Sequence, residues 1–170
     1  NPFPRRGNLL LFITNRCNSK CLICDHWKQK TQYLSVEDIR SLIMSNTIGT
    51  RSWLVEGGEV FCHPDIDTIL NMFKVMKVNY TLFTNGTMTD KVVKAVEKYN
   101  IKNLNISLDG TRQTYKKVRG FDGYYQVLNT IDLVKNKTCL AVSFTASPWN
   151  TYEDYLHVQS ICKQKNVRLM

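Results

Sequence analysis

An α/β fold built on a parallel sheet, a partial (β/α) barrel, is the architecture this sequence predicts, and three observations predict it. Short, nearly continuous apolar runs alternate with longer stretches of helical period, five times over. Each run ends in polar or glycine residues. No long linker, low-complexity segment or sequence repeat interrupts the alternation. Strands separated by helices imply right-handed crossovers and a parallel sheet.

The elements follow in order. NLLLFIT (8–14) is apolar throughout, as expected of a strand buried on both faces. After a cysteine-rich loop, SVEDIRSLIMSNTIG reads as a helix. Ser35 and Asp38 form a capping-box pattern there, with Ile39, Leu42 and Ile43 on one face. RSWLVEGG is the second strand, DIDTILNMFKVM the second helix and VNYTLFTNG the third strand. TDKVVKAVEKYN is a helix with Val92, Val93 and Val96 on one side, and NLNISLDG is the fourth strand. DGYYQVLNTIDLVKNK turns Leu128, Ile131 and Val134 inward. CLAVSFTAS is the fifth strand, NTYEDYLHVQSICKQKN the fifth helix, and VRLM begins a sixth strand. This makes one domain over residues 1–170, about five β-α units plus the start of a sixth strand. It is expected to be incomplete at its C-terminus, since a closed eight-fold barrel takes about 250 residues. The chain also starts at Asn1 without an initiator Met, which reads as a processed or cut protein.

Composition narrows the class. The 170 residues are 43% hydrophobic and 22% charged, which suits a globular domain with a real core. No apolar run reaches the roughly 20 residues that span a bilayer, and NPFPRRGNLL is no secretory signal. A membrane partner is therefore not expected. The net charge is +9, but the lysines and arginines are scattered rather than run together. That favours a solvated surface over a nucleic-acid footprint. Six cysteines, three of them clustered, point to metal binding in a reducing, cytoplasmic compartment rather than to a disulfide scaffold.

Parallel α/β folds bind ligands beyond the carboxyl ends of their strands. Strand one runs through Thr14 into the cysteine loop, strand two ends in Glu56-Gly57-Gly58-Glu59, and strand three in Thr84-Asn85-Gly86. Strand four ends in Ser107-Leu108-Asp109-Gly110 and strand five near Thr145. Any one of these is ordinary turn chemistry. Five on one rim, beside a cysteine cluster, predict a site.

The loop CNSKCLIC sets Cys17, Cys21 and Cys24 in a C-x3-C-x2-C spacing. Thiolates take soft metals, and two arrangements compete. His26 could join them in a closed Cys3His zinc site, a non-catalytic module. Alternatively, three thiolates hold three irons of a [4Fe–4S] cluster and leave the fourth iron open. The second gives the glycines and carboxylates of the rim a ligand to bind; the first leaves them unexplained.

Taken together, Cys17, Cys21 and Cys24, Gly57-Gly58-Glu59, Thr84-Asn85-Gly86 and Ser107-Leu108-Asp109-Gly110 resemble the radical S-adenosylmethionine (SAM) enzymes. The likeness runs over nearly the whole chain. It implies an enzyme with a [4Fe–4S] cluster and SAM as cofactors, in which a 5′-deoxyadenosyl radical abstracts hydrogen from a substrate. The resemblance places the cluster on the three cysteines. It assigns Gly57, Gly58 and Glu59 to the methionine amino group, and Ser107 and Asp109 to the neighbourhood of the ribose and methionine. Asn85 joins the cofactor-binding set, Ile23 would offer its backbone to adenine, and Arg119 would reach the SAM carboxylate. Val60 stands where the family often has proline, so the loop from Val60 to Pro64 departs from the pattern. Asn150 either matches a recurrent asparagine or caps helix five. The wording of the motifs leans toward peptide or protein modification or cofactor maturation, with a peptide or small molecule as substrate. An RNA-modifying member is a further alternative. A flavodoxin or ferredoxin would supply the electron.

Outside this set, Cys139 and Cys162 read as core residues and His157 as surface. Cys62 and His63, on the rim loop, are weaker candidates for a role at the site. The tyrosines of YKKVRGFDGYYQ read as helix packing.

Overall fold

A computed structural model of the chain describes residues 7–45 and 52–170. The end of the first expected helix (46–49), Arg51 of the second expected strand, and most of the N-terminal stretch read as lacking a secretory signal (1–6) lie outside the described residues.

Six parallel strands, β1 (Asn8–Phe12), β2 (Ser52–Glu56), β3 (Tyr80–Thr84), β4 (Asn103–Ser107), β5 (Cys139–Ser143) and β6 (Arg168–Leu169), form one sheet in the order β1-β2-β3-β4-β5-β6. Among the described residues the sheet is not closed, so β1 and β6 each have a single strand neighbour. The helices are α1 (Val36–Ser45), α2 (Ile66–Val75), α3 (Thr89–Tyr99), α4 (Arg112–Arg119), α5 (Tyr124–Val134) and α6 (Tyr152–Lys165). Because neighbours in the sheet are also neighbours in the chain and all run the same way, every strand delivers its carboxyl end to one rim. Among the described residues no helix is long and apolar enough to cross a membrane.

The apolar runs become strands because they fill the layer between sheet and helices. Val55, Leu82, Ile106 and Val142 are wholly buried along the sheet, under Ile69, Phe73, Val92, Val127 and Ile131 of the helices. Removing such side chains from water is the main favourable contribution to folding, about 1.5–3 kcal/mol for each large one. Cys162 joins this core at 2% exposure.

Several expectations change. The first run is not buried on both faces: Leu11 is buried, while Leu10 and Phe12 are exposed, because β1 is an edge strand. In α1, Ile39 alone is fully buried and Leu42 is exposed. Ser35 accepts from the Asp38 backbone N–H at 3.1 Å, and its hydroxyl donates to the Asp38 carboxylate at 2.6 Å, which is half of the expected capping box. Cys139 is exposed at the start of β5, its sulfur 3.0 Å from Arg168 Nη2. His157 is half-buried and bonds the Tyr124 hydroxyl at 2.7 Å.

Between β4 and α5 lies a further helix, α4, that the apolar pattern of the sequence does not predict. Its polar sequence, RQTYKKVR, buries only Tyr115, Val118 and Arg119. Its ends carry clear signals: Thr111 caps the N-terminus by accepting from Thr114 N–H, and Gly120 closes the C-terminus at φ 77°.

Candidate cofactor site on the strand-end rim

The cysteine loop leaves β1 and is pinned at its neck. Asn15 Nδ2 donates to Lys30 O at 2.7 Å and its Oδ1 accepts from Gln32 N at 2.7 Å. Thr14 Oγ1 donates to Gln32 O at 2.9 Å and accepts from Arg16 N at 3.0 Å. The loop is also tied to its neighbours, for Leu22 N donates to Val118 O at 2.8 Å and Trp27 Nε1 donates to Cys21 O at 3.2 Å. Within it Cys21 is buried and Cys17 and Cys24 are half-buried. Burial pushes the Cys17 thiol up to about 11. Burial also raises Cys21, against the pull of the Arg119 guanidinium.

All three cysteines line a single cavity of about 350 Å³. Ile23, Gly57, Gly58, Glu59, Asn85, Ser107 and Arg119 share that wall, so residues from separate strand ends and α4 converge on the cysteines. The two glycines sit against the loop's own backbone. A Cβ on Gly57 would lie 2.7 Å from Thr14 O, and one on Gly58 would lie 2.6 Å from both Asn15 O and Arg16 O. Gly58 N donates to Thr14 O at 2.7 Å and Glu59 N to Arg16 O at 2.9 Å, which clamps the second strand end to the loop.

Glu59 is buried, and burial raises its pKa against the hydrogen bonds it accepts. Its Oε1 takes the Thr84 hydroxyl at 2.7 Å and the Phe61 N–H at 3.2 Å; its Oε2 takes the Asn85 N–H at 2.7 Å. Asn85 in turn donates to Asn18 Oδ1 at 2.7 Å. Val60 begins a short 3₁₀ turn, Val60–Cys62.

Asp109 is fully buried and stands behind Arg119 rather than on the cavity wall; its Oδ2 lies 2.5 Å from Arg119 Nη2. Asn150 is not the cap of α6, a role taken by Thr151 in a capping box with Asp154. Instead Asn150 Nδ2 donates to Thr145 O at 2.8 Å. Cys62 faces a different cavity, lined also by Arg16 and Lys91. His63 is fixed within the fold: its Nδ1 accepts from Asp65 N at 3.0 Å and its Nε2 donates to Leu34 O at 3.0 Å.

Four residues of the wall, Ser19, Trp27, Phe83 and Ser143, were predicted neither as site residues nor as strand-end rim residues. Ser143 was detectable through register, since it pairs with Ser107 across β4 and β5 at the same height.

The donor set fits a cluster better than a single ion. Among the described residues no three His, Cys, Asp or Glu side chains converge closely enough to hold one metal ion. His26 packs against Phe12, ring centroids 4.6 Å apart, and does not line the cavity. Thiols spread around a cavity that is walled by glycines suit a polynuclear cluster and an adjoining small molecule.

Known proteins agree with this reading. A family model described as "Radical SAM superfamily" matches residues 11–155. The chain is 28% identical over 130 residues to a probable GTP 3′,8-cyclase of Thermococcus kodakarensis, covering 74% of this chain and 42% of that protein. It is 29% identical over 168 residues to the GTP 3′,8-cyclase of Aliarcobacter butzleri, covering 92% and 52%. The chain thus spans about half the length of these curated relatives. Among solved structures, Streptococcus suis SuiB bound to S-adenosylmethionine matches at TM-score 0.75 and 19% identity, over 95% of this chain and 38% of SuiB. Methylornithine synthase matches at TM-score 0.77 and 16% identity, over 97% and 53%. The family uses a [4Fe–4S] cluster together with SAM, and with the family model matching most of its length, this chain belongs to the radical SAM superfamily.

Proposed function

We propose that this chain forms the catalytic core of a radical SAM enzyme, with Cys17, Cys21 and Cys24 as the ligands of the [4Fe–4S] cluster. One observation carries the reading: the three thiols open onto the same cavity as Gly57, Gly58, Asn85, Ser107 and Arg119. When bound, the cluster supplies the electron that cleaves SAM to the 5′-deoxyadenosyl radical, which takes a hydrogen atom from the substrate.

The chain's own residues bind and orient. Gly57 and Gly58 let the second strand end lie flush against the backbone of the cysteine loop, where any Cβ would collide, and so hold the wall that faces the methionine part in place. Glu59 Oε2 accepts one hydrogen bond from the protein and keeps acceptor capacity for an ammonium group. Ser107 offers a hydroxyl from the end of β4, and Ile23 presents its backbone to adenine. Arg119, a buried cation on the wall, faces the carboxylate, and Asp109 holds it there. Asn85 secures the loop between β3 and α3.

The substrate is a peptide or a small molecule, in protein modification or cofactor maturation. The similarity to GTP 3′,8-cyclases favours a purine nucleotide. A flavodoxin or ferredoxin delivers the electron, and the reaction runs in the cytoplasm.

Anaerobic reconstitution of the full-length protein with iron and sulfide tests this. The expected result is a brown protein with about four irons per chain that releases 5′-deoxyadenosine when reduced with dithionite and SAM. Stoichiometric zinc, no colour and no cleavage would overturn it.

A further inference from the structure

Besides the strand ends, α4 also faces the cysteines, and what it brings is a charge. Arg119 is 8% exposed, and its Nη1 donates to Cys21 Sγ at 3.8 Å. Its Nη2 lies 2.5 Å from Asp109 Oδ2, and Asp109 is wholly buried with its Oδ1 accepting from Thr145 N at 3.1 Å. Among the described residues, Arg119 Nε is buried without a hydrogen-bond partner. The ion pair is therefore ordered in space, the cation against the cysteine sulfur and the anion behind it. Burying such a pair is costly, and a pair of this kind is poor evidence for stability alone. Hydrogen bonds to ligating sulfurs and nearby charge are among the factors that set iron–sulfur potentials.

We infer that the Arg119–Asp109 pair sets the reduction potential of the cluster held by Cys21, Arg119 raising it and Asp109 restraining that rise. The inference rests on the cluster reading above. One electron passes from an external reductant to the cluster, which becomes more negative by one charge; no bond breaks and no proton moves. A guanidinium at the sulfur favours the more negative state, and a carboxylate behind it weakens that preference. This electrostatic role of Arg119, exerted directly at the Cys21 sulfur, is separate from its contact with the SAM carboxylate.

The experiment is an EPR-monitored redox titration of the full-length protein with titanium(III) citrate and mediators, in the absence of SAM. Arg119→Gln is expected to lower the reduction equilibrium constant about tenfold, a potential about 59 mV more negative for one electron. Asp109→Asn, which keeps an acceptor for Thr145 N, is expected to move the potential the opposite way. Arg119→Lys, which keeps the charge, is expected to stay nearer the parent than Arg119→Gln. Shifts of the same sign for Arg119→Gln and Asp109→Asn, or no shift in either, would overturn the inference. If Asp109→Asn misfolds, equal shifts for Arg119→Gln and Arg119→Lys would do so. A parent protein that assembles no [4Fe–4S] cluster would instead overturn the reading beneath it, and the inference with it.

Discussion

Glu59 reaches from the end of β2 to the end of β3, where its Oε2 accepts the backbone N–H of Asn85 at 2.7 Å. The same carboxylate takes the Thr84 hydroxyl and the Phe61 N–H, so one buried side chain joins two strand ends. Glu59→Gln keeps the shape but turns an amide NH2 toward one of these donors. The expected loss is about 1–3 kcal/mol, the usual cost of a buried donor left without its acceptor. Urea unfolding of parent and variant measures it. A variant as stable as the parent would mean that this network relaxes without strain.

Gly58 is the glycine set tightest against the cysteine loop. An alanine Cβ would sit 2.6 Å from two backbone oxygens of the cysteine loop, and neither can swing aside as a flexible side-chain tip would. Gly58→Ala is expected to cost about 1–3 kcal/mol and to shift the loop away from β2. The readouts are a lowered melting temperature and weakened SAM binding, measured by calorimetry on the reconstituted protein.

Two buried cysteines separate ligand from core. Cys21→Ala is expected to abolish cluster assembly, whereas Cys162→Ala, in the core between α6 and the sheet, is expected to retain iron and sulfide at parent levels. Metal analysis after anaerobic reconstitution decides it. Loss in both would mean that the ligand set is wrongly assigned.

Asp154 gives the acid side of stability a specific origin. It accepts from Thr111 N at 2.9 Å through Oδ1 and from Thr151 N at 3.0 Å through Oδ2, so it ties the start of α4 to the start of α6. Burial opposes its charge, but these backbone donors outweigh that and hold its pKa below the ordinary 3.8. A carboxylate with a depressed folded-state pKa contributes stability above the unfolded value, and loses it as pH falls through the folded one. Asp154→Asn is therefore expected to be about 1 kcal/mol less stable than the parent at pH 6. The gap should narrow below pH 3.8. Denaturant titrations at pH 6 and pH 3 check the sign.

What the sequence disclosed and what it hid follow from range. The strands and five of the helices were legible because period and apolar runs are local. So was the common rim, because a parallel sheet leaves no choice about which ends meet. Helix α4 was hidden because its sequence is dominated by charge, and only its caps, Thr111 and Gly120, gave it away. The edge position of β1 could not be read from an apolar run, since burial depends on how many strands flank it. Asp109 was read as a neighbour of the ligand but stands behind Arg119. Two residues ten positions apart, on different elements, reveal their pairing only when the turn between them is known. Likewise Thr151 rather than Asn150 caps α6, a difference of one residue that a motif match does not resolve.

The in-order sheet also bears on how the site comes into being. A chain whose sheet neighbours are its sequence neighbours can add one unit at a time as it leaves the ribosome. Cys21 is made before the arginine that touches its sulfur, which lies 98 residues further on. During synthesis the three thiols are thus exposed together long before α4 closes over them. Loading of metal and maturation of its electrostatic surroundings are separable events, and a nascent chain halted before Arg119 would present the ligands without the charge that accompanies them in the finished fold.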